Sequence, residues 1–200
     1  SGTTDIITVV LNAQPASDVV ITVTSSDTGE ATVTSSLTFT SENWDTPQNV
    51  TVTGVDDDLV DGTVNSTVTI AVDDASSDDD FDAVADQTVS VSTTDDDVAG
   101  FTVTETEGST GVTEAGSTDI LNVVLNSQPD SDVVLTISSS DTGESSVHGS
   151  TVSNNTITFT SANWDTPQAF TVTGVDDDLV DGTVTSTVTI SVVDAVSDDN

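Results

Sequence analysis

The 200-residue chain contains no lysine, arginine, cysteine, methionine or tyrosine, and its single histidine is His148. Without lysine or arginine it can build neither ordinary salt bridges nor a clamp for phosphate, so nucleic acid is not expected as a partner. Without cysteine it has no disulfide staples and no thiol nucleophile, and its redox compartment stays open. No apolar run approaches the length of a membrane span, no signal-peptide pattern stands at Ser1, and no membrane contact is expected of this segment. The chain reads as an interior portion of something longer. No stretch shows helical periodicity.

What is present is acid. Asp and Glu number 36 and set the formal charge at −36. High charge with few aromatics is the composition of a disordered chain. Here Val, Ile, Leu and Phe fall instead at regular alternating positions, which requires a folded β core. The length fits two modules of about 100 residues, each with a modest core, so a ligand that binds only the folded state would matter for stability. Two carboxylates about 5 Å apart in water repel by roughly 0.8 kcal/mol. Dozens of them call for solvent cations or bound metal.

One stretch occurs twice and organises the rest. It reads NWDTPQNVTVTGVDDDLVDGTV from Asn43 to Val64 and NWDTPQAFTVTGVDDDLVDGTV from Asn163 to Val184, with differences only at 49/169 and 50/170. Each copy holds an Asp-Thr-Pro turn, an alternating strand ending in Gly-Val, and then four aspartates within six residues. Upstream, Ile7, Val9 and Leu11 share one strand face, as do Val19, Ile21 and Val23; Leu37 and Phe39 mark a short strand. Downstream, Val64, Val68, Ile70 and Val72 are in phase, a polar Asp-rich loop spans 73–86, and Val89 and Val91 mark a last strand. The second copy repeats this order from Ala115, with Leu121, Val123 and Leu125 facing inward, SSDTGE recurring at 139–144, and about six extra residues around His148 to Asn155. Short Thr/Val strands with turns every eight to twelve residues predict antiparallel β-sandwiches.

The segments LTFTSENWDTPQNVTVTGVDDDLVDGT, TVSVSTTDDDVAGF and VTE at 112–114 follow an order that resembles the Calx-beta domain, an immunoglobulin-like calcium-binding sandwich. The Thr/Val/Asp-rich, cation-poor version is similar to tandem repeats of giant bacterial surface adhesins. The resemblance implies an all-β chain of two such sandwiches: 1–97 without its first strand and 98–200 without its last. It also implies calcium at Asp56, Asp57 and Asp61 with Asp95, Asp96 and Asp97, and at Asp176, Asp177 and Asp181 with Glu114. A further ligand of that family, on the loop after the third strand, falls on Asp141 or Glu144. Position 61 is Asp where that family often has Glu, which shortens its reach.

The bottom-up reading of the acidic turns also points to calcium, which takes six to eight oxygen ligands at flexible geometry. DDDLVDG is not an EF-hand, because Val60 occupies a ligand position and Asp61 stands where glycine is required. A solvated acidic turn that keeps edges apart is the alternative. Trp44 and Trp164, each directly before an Asp-Thr-Pro turn, are expected to pack over the end of a sandwich rather than stack on a sugar. His148 is expected in a surface loop, and Phe81 is expected to plug the acidic loop onto the core.

Catalysis has no support in the spacing of these residues: the aspartates cluster on short turns rather than across a cleft. The expected function is therefore a structural repeat of an extracellular adhesin or surface fibre, at a bacterial cell surface or in a secreted fibre. Calcium would stiffen its acidic turns and the short linker at Asp95–Asp97. Neighbouring repeats of the same protein are its expected partners. Two other readings are a calcium-responsive module binding a sugar or protein, and a filament subunit that self-associates head to tail through incomplete sandwich edges.

Overall fold

A computed structural model describes residues 2–148 and 155–197. The chain forms two compact units: Ser1–Asp57 with Asp61–Asp96, and Asp58–Val60 with Asp97–Asn200. Both are all-β, and the described helical residues are confined to single 3₁₀ turns.

The first unit contains β1 (Thr4–Val9), β2 (Val19–Ser25), β3 (Ala31–Val33), β4 (Ser36–Phe39), β5 (Gln48–Gly54), β6 (Thr63–Val72) and β7 (Gln87–Thr94). They form a three-stranded sheet, β1-β5-β3, and a four-stranded sheet, β4-β2-β6-β7, with every pairing antiparallel. Alternation puts Val19, Ile21 and Val23 of β2, Leu37 and Phe39 of β4 and Val68 of β6 on the inner face of one sheet. Ala31, Val50 and Val52 on the other close a single buried cluster. Phe81 packs against this cluster from a 3₁₀ turn within the acidic loop, as its position in the sequence suggests.

The second unit contains β8 (Phe101–Glu105), β9 (Thr118–Leu125), β10 (Val133–Ser139), β11 (Ser145–His148), β12 (Thr156–Phe159), β13 (Gln168–Gly174) and β14 (Val188–Val192). Its sheets run β11-β13-β9-β8 and β12-β10-β14, around a core that includes Leu121, Val123, Leu135, Ile157, Phe159 and Phe170. Trp164 packs partly buried against that core, and its carbonyl accepts from the Leu125 amide at 3.1 Å. The Trp44 carbonyl likewise accepts from the Leu11 amide at 3.1 Å. His148 is not in a loop: it is the last residue of β11, opposite Thr171, because the Ser146–His148 run completes an alternation that pairs with β13. Residues 149–154 of the non-repeated insertion lie outside the described residues. The three-residue strand β3 is too short to show periodicity and could not be read from sequence.

The duplicated turn now has a mechanical explanation. β4 and β5 lie in different sheets, so the NWDTPQ segment must carry the chain across the end of the sandwich. Asn43 holds that crossing: its side-chain oxygen accepts from the Thr40 amide at 2.6 Å, and its carbonyl accepts from the Thr46 amide at 2.9 Å. Gln48 then ties the outgoing strand back to the Thr38 carbonyl at 2.8 Å. Asn163 and Gln168 repeat these bonds.

One buried hydroxyl separates the two cores. Ser186 shares a 2.7 Å hydrogen bond with Ser145, which in turn bonds Ser139 at 2.8 Å. In the first unit Ala31 stands where Ser145 stands in the second, and the buried Ser66 hydroxyl, counterpart of Ser186, is left without a partner. A buried unsatisfied hydroxyl costs on the order of 1–3 kcal/mol. Ser66→Ala should therefore leave stability unchanged or raise it by about 1 kcal/mol, whereas Ser186→Ala should lower it by a similar amount. Urea unfolding of the two variants beside the parent reads the difference in sign.

Candidate metal centres

The ends of β5 and β7 and the start of β6 meet beside the turn that follows β2: Thr63 pairs with Thr94, and the Glu30 carbonyl in that turn bonds both Val55 and Thr93. The SSDTGE turn between β2 and β3 is built by its own side chains. Asp27 accepts from the Gly29 amide at 3.0 Å, and its carbonyl accepts from the Ala31 amide at 3.0 Å. With Asp27 holding the turn, Glu30 is the residue that projects onward. Its carbonyl accepts from the Val55 amide at 2.8 Å and the Thr93 hydroxyl at 3.2 Å, which fixes the turn beside the DDDLVDG loop. That loop reverses at Gly62, whose φ of 76° is costly for any residue with a Cβ.

The result is a cluster of Glu30, Asp57 and Asp61, with one carboxylate oxygen from each lying within 4.8 Å of the others. The second unit reproduces it with Glu144, Asp177 and Asp181. Asp141 caps its turn through the Gly143 amide at 3.0 Å, the Glu144 carbonyl accepts from Val175 at 2.9 Å, and Gly182 reverses the loop at φ 78°. Each triad could hold a metal ion.

Of the residues singled out in the sequence, the structure brings Asp57 and Asp61, and Asp177 and Asp181, into these clusters. Asp95 reaches the same loop by accepting from the Gly62 amide at 2.9 Å, outside the triad itself. Glu114 lies near enough to Glu144 for its charge to act on that carboxyl. Asp56, Asp96, Asp97 and Asp176 are not members of either triad. Of Asp141 and Glu144, the structure selects Glu144 and gives Asp141 to the turn. Glu30 is the triad member that sequence reasoning missed. The signal was there, since SSDTGE precedes both acidic loops unchanged, but nothing local says that its glutamate folds back over 26 residues to meet Asp57.

In each triad the glutamate carboxyl is crowded by neighbouring acids. Partial burial, followed by the charges of Asp61, Asp57 and Asp27, pushes the Glu30 carboxyl above its ordinary range. Partial burial again leads for Glu144, with Asp181, Asp177, Asp141 and Glu114 adding to it. Outside the triads Asp82 is also pushed up, by burial and by Asp74, Asp79 and Asp78, whereas two other carboxylates are held low by hydrogen-bond donors. Buried Asp78 accepts from the backbone of Ser17, Asp80 and Ala16, which holds it below the usual carboxylate range. Asp119 is held low by the Thr106 hydroxyl and the Gly111 and Ile120 amides.

No family model matches the chain, and no curated protein matches it.

The two sets of carboxyls predict opposite responses to acid. Glu30 and Glu144 bind their protons more tightly when folded, so their contribution is fully present below 4.5 and is lost as pH rises through their raised folded values. Asp78 and Asp119 contribute above 3.8 and lose that contribution as pH falls through their depressed folded values. In chelator, the melting temperature should therefore rise on acidification from neutral pH and fall again under stronger acid. The double variant Glu30→Gln, Glu144→Gln should melt higher than the parent at neutral pH in chelator, show a weaker rise on mild acidification, and bind divalent ions at least about tenfold more weakly. Melting curves across pH and calorimetric titration check these three outcomes.

Proposed function

We propose that this chain is a non-catalytic structural module of an extracellular adhesin or surface fibre, whose sandwiches are stabilised by calcium at their acidic ends. The observation that carries this reading is the occurrence of one carboxylate triad at equivalent positions in both units of a chain that has no lysine or arginine. Three converging carboxylates repel one another, and Glu30 and Glu144 register that repulsion. The chain has no lysine or arginine to oppose that charge, so relief is drawn from cations outside it.

The donor set favours calcium among common cations. Every donor in the triads is oxygen, whereas zinc and copper sites draw on imidazole or thiolate. The triads are partly exposed and stand on turns, which suits the six to eight ligands and flexible geometry of calcium better than the strict octahedron of magnesium. Solvent and neighbouring carboxylates, Asp95 in the first unit and Glu114 in the second, would complete the shell. Extracellular modules of this kind bind at roughly 0.1–1 mM, which a calcium-rich outside medium saturates and the cytosol does not. The two acidic turns being copies of each other supports a load-bearing or spacing role, because a binding face is expected to differ between copies.

Calcium at about 100 times its dissociation constant stabilises a single-site fold by roughly 2.7 kcal/mol. For a unit of about 100 residues this should raise the melting temperature by on the order of 10 °C or more relative to chelator. Sodium chloride at matched ionic strength should reproduce only a small part of the shift. If it reproduces the whole shift, the triads are screened surface and the reading fails.

A further inference from the structure

The two units offer an internal comparison at one sheet edge. β1 and β9 carry nearly the same sequence, TDIITVVLN and TDILNVVLN, and each pairs with the equivalent neighbour, β5 or β13. β9 has β8 on its other side, while β1 is the outer strand of its sheet among the described residues. The consequence is read in burial. Leu121, Val123 and Leu125 are 6%, 0% and 7% exposed, whereas their counterparts Ile7, Val9 and Leu11 are only half-buried. Ile6 stands 57% exposed beside them.

The polar groups of the edge show the same gap. Asp119 accepts from Thr106 Oγ1, the Gly111 amide and the Ile120 amide. Its counterpart Asp5 accepts from the Ile6 amide alone among the described residues. Asn126 donates its amide to Gly100 and accepts from Thr102 Oγ1 at 2.8 Å, and its counterpart Asn12 is present in the first unit. An uncovered, apolar strand with such groups in place is a template for strand addition.

We infer that the outer edge of β1 is an acceptor for one additional β-strand, and that its occupant is an extended segment of β8's chemistry, Gly-Phe-Thr-Val-Thr-Glu followed by Thr. The register on β9 pairs Phe101 with Leu125, Val103 with Val123 and Glu105 with Leu121. Transposed onto β1, the incoming Phe lies opposite Leu11, its Val opposite Val9 and its Glu opposite Ile7, and the following Thr reaches Asp5 as Thr106 reaches Asp119. The apolar residues of the incoming strand extend the half-buried face of β1, and its threonines keep the outer face wettable. This inference is independent of metal binding.

The probe is a synthetic peptide of residues 99–114, added to the isotope-labelled chain in physiological salt so that two acidic partners can approach. Amide exchange in β1 should slow by about tenfold at saturating peptide, with β3 and β7 unaffected. A peptide with Phe101→Asp and Val103→Asp should give no protection. A second arm grafts residues 98–114 ahead of Ser1; that chain should protect β1 without added peptide and melt higher than a graft carrying the same two aspartates. Protection in either arm supports the inference. Absence of protection in both arms overturns it, as does concentration-dependent protection of β1 in the free chain, which would assign the edge to a second copy.

Discussion

The constraint on which this structure rests is negative charge with no cationic side chain to oppose it. Every carboxylate must therefore be solvated, bonded to an amide or hydroxyl, or matched by an ion from outside. The fold uses the second solution wherever a turn allows it. Asp27 and Asp141 close the SSDTGE turns, Asp78 collects three backbone amides beneath the acidic loop, and Asp119 anchors the segment that follows β8. Hydrogen bonds to an ionised acceptor are among the stronger ones available to a protein, so these aspartates do work that salt bridges do elsewhere. Glu30 and Glu144 instead face other carboxylates, whose charges push them above the ordinary range.

Core and triad are linked through strand ends. The inner faces of β2, β5 and β6 fix where these strands stop, and the triad residues stand on the turns just beyond. Val50 and Val52 are buried on the strand that leads directly into Asp56–Asp61. A ligand that draws the acidic turns together therefore acts on the same strands whose packing defines the sandwich. This is the physical route by which occupancy at an exposed site can stabilise a modest core.

The duplication shows how much a fixed sequence owes to its neighbours. TVNSTVTIAV forms the whole ten-residue strand β6, where β7 lies alongside it. TVTSTVTISV, differing at two positions, is a strand only over Val188–Val192, where β14 pairs with β10 alone among the described residues. A strand paired on one side retains fewer ladder bonds and less cover for its side chains. The serine cluster of the second core and the orphaned Ser66 of the first make the same point for a single hydroxyl.

By itself the sequence determined the period-two alternation, hence an all-β chain with its inward-facing Val, Ile, Leu and Phe, a turn after Asn43 and Asn163, and the exclusion of lysine and arginine salt bridges. These are local properties, carried by neighbouring residues and by composition. The DDDLVDG loops were legible as candidate sites for the same reason, since four aspartates are adjacent in the chain. Only the tertiary structure decided which carboxylates meet. Glu30 is separated from Asp57 by three strands, β3, β4 and β5, that are divided between the two sheets, and no local pattern encodes their approach. It also decided that Asp141 belongs to its turn and Glu144 to the triad, that Asp56 and Asp176 stand outside both, and that His148 closes a strand. Pairing partners and sheet edges are set by long-range packing, which a strand's own alternation cannot specify.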